Sequence, residues 1–270
     1  MSEVENLEAS ACLASPTSIN TKIFPESSFF QERRGSTLPS PAEVRALNEA
    51  SGHDRATSFN RPCPVVFPSL DMIVKYGADV TINEAETQAL IRQLLHGQVP
   101  IPEVFGWAEE RKQTFIYMAW VKGDTLQTRF ANMDENERQA VCNELKGMVV
   151  YLTSTGSINK RPLNDIFVYP SPELAGLFLG SEAVQKFHDA CDVDIGRPNP
   201  RVVAILDWGQ SGWYPWYWEY CKAKRVGRLE TCFVATIQEG WHTKYLPLII
   251  DPVDDELYYH PWLYFMISKI

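Results

Sequence analysis

The stretch Arg201–Ala223, RVVAILDWGQSGWYPWYWEYCKA, decides how the rest of the chain is read. Val202 to Leu206 is an apolar run with no helical period, as expected of a short buried strand. It ends at Asp207, and Trp208-Gly209-Gln210-Ser211-Gly212 follows as a loop. A carboxylate carried by a rigid strand into a loop of small residues suits a hard cation, which takes oxygen ligands. The same acid also suits a turn, or the cap of the helix expected through Lys222 and Ala223. Spacing alone leaves both open. Between loop and helix stand Trp213, Tyr214, Trp216, Tyr217, Trp218 and Tyr220, which are expected to wedge the loop against that helix.

Outward from this stretch, the chain of 270 residues is long enough for one large domain or two lobes with an ample core. With 45% hydrophobic and 22% charged residues it reads as globular rather than disordered. Lys and Arg number 25 and Asp and Glu 34, a net charge of −9. That balance argues against a nucleic-acid surface and leaves room for a cationic small molecule as partner. No apolar run approaches the roughly 20 residues of a membrane-spanning helix. MSEVENLEAS places acids where a secretory leader carries positive charge, so a cytoplasmic location is expected. The cysteines at 12, 63, 142, 191, 221 and 232 include no Cys-x-x-Cys pair, which fits reduced thiols better than zinc or disulfides.

Residues 1–39 are rich in Ser, Glu, Asn and Pro without a sustained period, and are expected to be disordered or loosely attached. Ser40-Pro41-Ala42-Glu43 opens a helix with a capping box, expected to run to Ala50 and stop at Gly52. Val65–Phe67 and Met72–Val74 flank Pro68-Ser69-Leu70-Asp71 as a hairpin, and Lys75 ends its second strand. Thr81-Ile82-Asn83-Glu84 starts a helix that continues toward His96 and stops at Gly97. An apolar hairpin follows, its second strand expected over Thr114–Trp120. Val141, Leu145, Met148, Val149 and Leu152 line one face of a helix over 135–153, again opened by an acidic capping box at Asp134 and Glu137. Glu182–Ala190 is expected to be helical, with the His188-Asp189 pair read as structural. A helix over Glu230–Trp241, an apolar run at Tyr245–Ile250 and a last helix behind an acidic turn complete the chain. On spacing alone Lys75 is equally a surface lysine with a buried stem. Glu84, for its part, fits as the second half of a capping box with Thr81.

ILDWGQSGWYPWYWEYCKA, VKYGADVTINEA and TFIYMAWVKGDTL together resemble the fungal branch of the aminoglycoside phosphotransferase family, across about residues 42–270. That resemblance implies an α+β, protein-kinase-like fold of two lobes: a small mixed lobe over 40–122 and a larger helical lobe over 123–270. It implies ATP- and magnesium-dependent phosphorylation of a hydroxyl on a small molecule. Asp207 then stands where the family holds magnesium, as the Asp-Phe-Gly aspartate does in protein kinases. Lys75 corresponds to the lysine that contacts nucleotide phosphates. Glu84, nine residues on, corresponds to its ion-pair partner, with Glu86 as the alternative. Tyr117 to Trp120, Met118 and Trp120 among them, sit where the family's hinge contacts adenine through backbone groups, and serve equally well as core. No Gly-x-Gly-x-x-Gly is present, so any cover over the nucleotide differs from that of protein kinases.

One part of the pattern is missing. Kinase-like transfer uses a His-x-Asp-x-x-x-x-Asn loop, with Asp orienting the nucleophile and Asn on the metal. The loop should lie one hairpin upstream of Asp207, where this chain reads FHDACDVDIGRPNPRVVAILDW. Asp194 and Asn199 have the Asp-to-Asn spacing, with Asp192 in the place of His. Asn199, however, precedes Asp207 by only eight residues, too few for two strands of about five residues and a turn. Asn199 also lies between two prolines that restrict its backbone. The expectation is therefore a deletion around Ile195–Pro198 that removed the loop and one strand. Three possibilities stay open: a pseudokinase or nucleotide-binding scaffold, a shortened form of an active kinase, and a remodelled loop built on Asp194 and Asn199.

Overall fold

The computed structural model describes residues 20–33, 35–130, 132–154, 191–193, 201–208, 216–225 and 240–268. The fold is mixed α and β, built on an antiparallel sheet of five strands with the order β1-β4-β5-β3-β2. These are β1 (Asn20–Ile23), β2 (Val65–Phe67), β3 (Met72–Gly77), β4 (Val104–Glu110) and β5 (Gln113–Ala119). Alternation along β3 explains how the sheet is covered on both faces. Met72, Val74 and Tyr76 face one core with Phe105, Phe115 and Tyr117, under Phe29 of α1 (Ser28–Glu32) and Val44 of α2 (Pro41–Ala50). Ile73 packs on the opposite face with Ile116, Met118 and Trp107, against Ala85 of α3 (Ile82–Leu94). Lys75 shares that second face by its place in the alternation.

Helix starts follow the sequence closely. Ser40 Oγ accepts from the Glu43 N–H while Glu43 returns a bond to the Ser40 N–H, closing the capping box of α2. At α3, Thr81 Oγ1 accepts from the Glu84 N–H at 3.3 Å. After the short α4 (Leu126–Phe130), the helix α5 (Glu135–Ser154) opens with the reciprocal pair Asp134 and Glu137, at 2.8 and 2.9 Å. Its Val141, Leu145 and Met148 face inward as expected, into a core with Val99, Ile101, Val202, Ile205, Trp208 and Ile249.

Residues 20–33 depart from the loosely attached segment expected over 1–39. β1 extends the sheet by pairing with β4 from Asn20↔Glu109 to Ile23↔Gly106. Its composition is polar because an edge strand with exposed side chains needs main-chain pairing more than apolar periodicity. At Gly106 any Cβ would meet Lys22 O at 2.5 Å, so the close approach of the two strands needs a glycine there.

The second departure lies beside Asp207. A small sheet orders β6 (Asp124–Thr125), β7 (Cys191–Val193) and β8 (Val202–Ile205). β7 and β8 are antiparallel, with Cys191↔Ile205, Asp192↔Ala204 and Val193↔Val202 in register around an irregularity. A strand upstream of Asp194 thus pairs with β8, formed by three residues that carried no strand pattern in the sequence, while β8 is the one described strand between Asn199 and Asp207. Asp192, considered for the place of the loop histidine, sits inside this strand. The Tyr245–Ile250 run, which alternation left unassigned, is helical: a π-helical turn over Trp241–Tyr245 leads into α7 (Leu246–Ile249), after α6 (Trp218–Arg225). A second π turn, Asp255–Tyr259, leads into α8 (His260–Ser268), as the acidic cap at Asp254 predicts. Trp218, Tyr220, Tyr259 and Trp262 pack together, while Trp216 and Tyr217 lie against Tyr258. The aromatic run therefore ties α6 to the C-terminal helices. The expected helices over 182–190 and 230–241 fall wholly or largely outside the described residues.

Candidate functional site

Three segments converge on one ammonium. β3 carries Lys75 on the face covered by α3, and the first turn of α3 carries Glu84. Lys75 Nζ donates to Glu84 Oε1 at 2.5 Å and to Asp207 Oδ1 at 2.8 Å. The Thr81 cap fixes the start of α3, and so the direction from which Glu84 arrives. The Glu84 side chain is 3% exposed, that of Lys75 27% and that of Asp207 46%. A buried acid thus grips the ammonium from behind and a solvent-facing acid meets it from the front. Burial by itself pulls the Lys75 ammonium down, but the two carboxylates outweigh it and hold the group above its ordinary value. Glu86 does not share this role: it pairs with Lys22 of β1 at 2.9 Å.

Asp207 is aimed by the residue that follows it. Trp208 is fully buried, and its indole N–H donates to Ile205 O at 3.0 Å, closing a tight turn off the end of β8. Within that turn Asp207 has φ +59°, the left-handed region that Asp tolerates better than most residues. The Ile205 N–H donates to Pro100 O, which ties β8 to the loop after α3. The Val202 N–H donates to Glu144 of α5 at 2.9 Å. The strand is held at both ends, and its exit delivers one carboxylate to Lys75. Sequence reading took Trp208 only as part of a loop. Its role as anchor was carried by the Asp-Trp step itself, a buried ring next to an exposed acid.

Met118 lies at the end of β5 and Trp120 directly after it. Met118 pairs with Ile73 on one side and Val104 on the other, inside the sheet, and its sulfur lies 3.9 Å from the Gln88 amide. It is a core residue. The Trp120 N–H donates to Asp71 O at 2.9 Å and the Ala119 N–H to Glu103 O at 2.8 Å, so both donors at the end of β5 are already used. The Trp120 ring lies under Lys122 Nζ, 5.3 Å from its centre. A cleft of about 300 Å³ runs past Trp120, Lys122, Asp71 and Arg33, but its floor of Phe29, Leu70 and Phe105 belongs to the face of the sheet away from Lys75.

Asp194 and Asn199 lie outside the described residues, as does the His188-Asp189 pair. What is described is the end of the β7–β8 ladder. Cys191 pairs with Ile205 near Asp207, and Val193 with Val202 at the remote end. Three strand steps separate the two ends of β8, about 10 Å. Among the described residues, no group of three or more His, Cys, Asp and Glu side chains is arranged to hold a metal ion. Nor is any helix among them long and apolar enough to cross a membrane.

No protein-family model matches this sequence, and no curated protein matches it. Among solved structures it is similar to the pseudokinase domain of BIR2, an immune regulator of the RLK/Pelle family. The likeness has 12% identity and a TM-score of 0.32 over 49% of this chain, and the chain spans 42% of that one.

Proposed function

We propose that this chain is a kinase-like nucleotide-binding protein of the aminoglycoside-phosphotransferase type, binding ATP with magnesium between a smaller lobe ending near residue 122 and a helical lobe beyond it. The observation that carries this reading is the sharing of Lys75 Nζ by Glu84 and Asp207. A strand lysine held by a helix acid and met by an acid at a strand exit is the arrangement that phosphoryl-transfer enzymes use to place a phosphate between a cation and a metal. Glu84 keeps the ammonium extended and charged, and Lys75 offers it to phosphate oxygens. Magnesium binds through one or two carboxylates plus phosphate oxygens and water. The solvent-reaching Asp207 fits that donor set, and the metal would supply the charge neutralisation between protein and phosphates. Lys75, Glu84 and Asp207 together carry one net negative charge, so a polyphosphate is attracted only when a divalent cation accompanies it.

Binding without measurable turnover is the second half of the proposal. Phosphoryl transfer needs a carboxylate to orient the nucleophile. The connection from Val193 to Val202, which contains Asp194 and Asn199, starts and ends at the part of the ladder remote from Asp207. A small molecule, cationic in keeping with the acidic chain, is the class of ligand that would bind beside the phosphates. A thermal melt separates this reading from a scaffold with no nucleotide site. Magnesium-ATP at a hundred times its Kd should stabilise the fold by about 2.7 kcal/mol, whereas a scaffold shows no shift. Turnover at about 1 per second or faster, as kinases show, would refute the non-catalytic half.

A further inference from the structure

Away from Lys75, the loop that follows α2 brings a thiol and an imidazole together. Cys63 Sγ lies 2.9 Å from His53 Nδ1. The same Nδ1 accepts the Arg55 N–H at 3.2 Å, which places the proton of the neutral ring on Nε2 and leaves Nδ1 as the acceptor facing sulfur. The loop holds both partners. The His53 N–H donates to Ser51 Oγ, and the Asn48 amide donates to Cys63 O and to Tyr76 Oη at 3.0 and 2.8 Å. The chain enters β2 directly afterwards through Pro64, between the prolines at 62 and 64. Cys63 is buried, at 9% exposure, beneath the exposed His53.

We propose that Cys63 is a reactive, modifiable thiol, with His53 as the base that takes its proton. The thiolate is the nucleophilic form of cysteine, and a base in hydrogen-bond contact can take the thiol proton as sulfur attacks. Toward a soft alkylating agent, Cys63 Sγ forms the new S–C bond, the halide leaves and the thiol proton passes to Nδ1. Toward hydrogen peroxide, Sγ attacks one oxygen, the O–O bond breaks and the departing hydroxide takes the proton back from Nδ1 as water. Sulfur is oxidised by two electrons to sulfenic acid and the peroxide is reduced. The long Arg55 N–H bond is the one given up when Nδ1 is protonated. Cys142 and Cys221 contrast with this pair. Both are fully buried among apolar residues, and burial pushes each thiol up to about 12. Tyr76, reached from Cys63 through Asn48, follows Lys75 on β3, so an adduct at Cys63 forms behind the strand that carries the candidate phosphate lysine.

The test is timed labelling of the full native chain with iodoacetamide at pH 7, read by peptide mapping, for the parent and for His53→Gln. His53 is exposed, so the variant should fold, and its melting midpoint is recorded alongside. Proton transfer to a positioned base contributes about a hundredfold or more at optimised sites, so about a tenfold gain in rate is expected from a simple pair. Cys63 is expected to react at least about tenfold faster than Cys142 and Cys221, and His53→Gln should slow Cys63 severalfold without changing those two. A parallel exposure to peroxide with dimedone should trap the sulfenic acid at Cys63. Labelling of Cys63 no faster than the buried pair, or at the same rate in parent and His53→Gln, overturns the proposal. The latter result would mean that exposure alone sets its reactivity.

Discussion

Replacing Glu84 by Gln tests whether the buried carboxylate, rather than its neighbour on α3, governs the lysine. Gln has nearly the same shape and keeps a carbonyl oxygen for Lys75 Nζ, so the change removes charge and little else. Gln still accepts from the charged ammonium, so the bond stays charge-assisted but only one partner is ionised; such bonds span roughly 1.5–3 kcal/mol, and loss of the acid's charge should cost about 1–1.5 kcal/mol. The larger cost of stranding a buried charge, about 3–5 kcal/mol, does not apply in full. Lys75 is 27% exposed and keeps Asp207 at 2.8 Å. Glu86→Gln is the matched control, because Glu86 and Lys22 form a surface pair with side chains 33% and 48% exposed. Such pairs contribute about 0–1 kcal/mol. At about 2–4 °C per kcal/mol for a chain of this size, Glu84→Gln should lower the melting midpoint by about 2–6 °C, well beyond Glu86→Gln. The raised Lys75 group keeps this contribution intact below its unfolded value near 10.5 and loses it only as pH rises through the higher folded value, so melts near pH 7 report it in full. Equal midpoints for the two variants, or a larger loss with Glu86→Gln, would refute the assignment. A double substitution with Lys75→Met should also fall short of the sum of the single losses by about 0.5 kcal/mol or more.

Two further outcomes can be read in the same melts. Gly77 has φ +143°, and a Cβ there would lie 2.1 Å from Asn60 O. Gly77→Ala should therefore cost more than Gly97→Ala, where φ is +77° but the space is open. The backbone strain of an alanine at this φ is by itself about 1–3 kcal/mol, and a midpoint unchanged in Gly77→Ala would contradict the packing of the loop before β2 onto β3. Acid should also destabilise the fold through three carboxyls held below their ordinary range. Side-chain hydrogen bonds do this first in each case, from Lys244 and then Tyr245 to Glu135, from Lys122 to Asp71, and from Ser40 to Glu43. Their contribution is present above the unfolded values of 4.5 and 3.8 and is lost as pH falls through the lower folded values, so the midpoint should hold between about pH 7 and 5 and drop below about 4.5. Glu135→Gln should make that drop shallower.

Much of the first sheet was legible because its signals are local. The Ser40 and Asp134 capping boxes act over a few residues and appear where the sequence places them, whereas α3 ends at Leu94, short of the stop read at Gly97, and β3 runs two residues past Lys75 to Gly77. Lys75, Glu84 and Asp207 were found from short phrases of sequence, and the fold supplies what spacing lacks, a common partner atom. The failures share a cause as well. β1 and β7 are polar or very short, and they become strands through main-chain bonds to partners 83 and 9 residues away, Ile23 with Gly106 and Val193 with Val202, rather than through any periodicity of their own. Both distances are fixed only by the fold. Trp120 illustrates a different limit. A backbone N–H carries no residue type, so its commitment to Asp71 O cannot be read from side chains at all. The Cys63–His53 contact cannot be read from spacing, since the two residues, ten apart in sequence, come together only once the loop is closed.

The most direct measurement is calorimetric titration of magnesium-ATP into the parent, Lys75→Ala and Lys112→Ala. Lys112 is an exposed lysine in the β4–β5 turn, at φ +61°, and shares charge with Lys75 but not its place beside Glu84 and Asp207. The parent and Lys112→Ala should show the same single-site isotherm, with no binding when magnesium is withheld. Lys75→Ala should weaken binding by roughly 1.5–3 kcal/mol, about ten- to a hundredfold in Kd, from the lost charge-assisted contacts to phosphate. Superimposable isotherms for the two variants, or a parent that binds no nucleotide at millimolar concentration, would contradict the account.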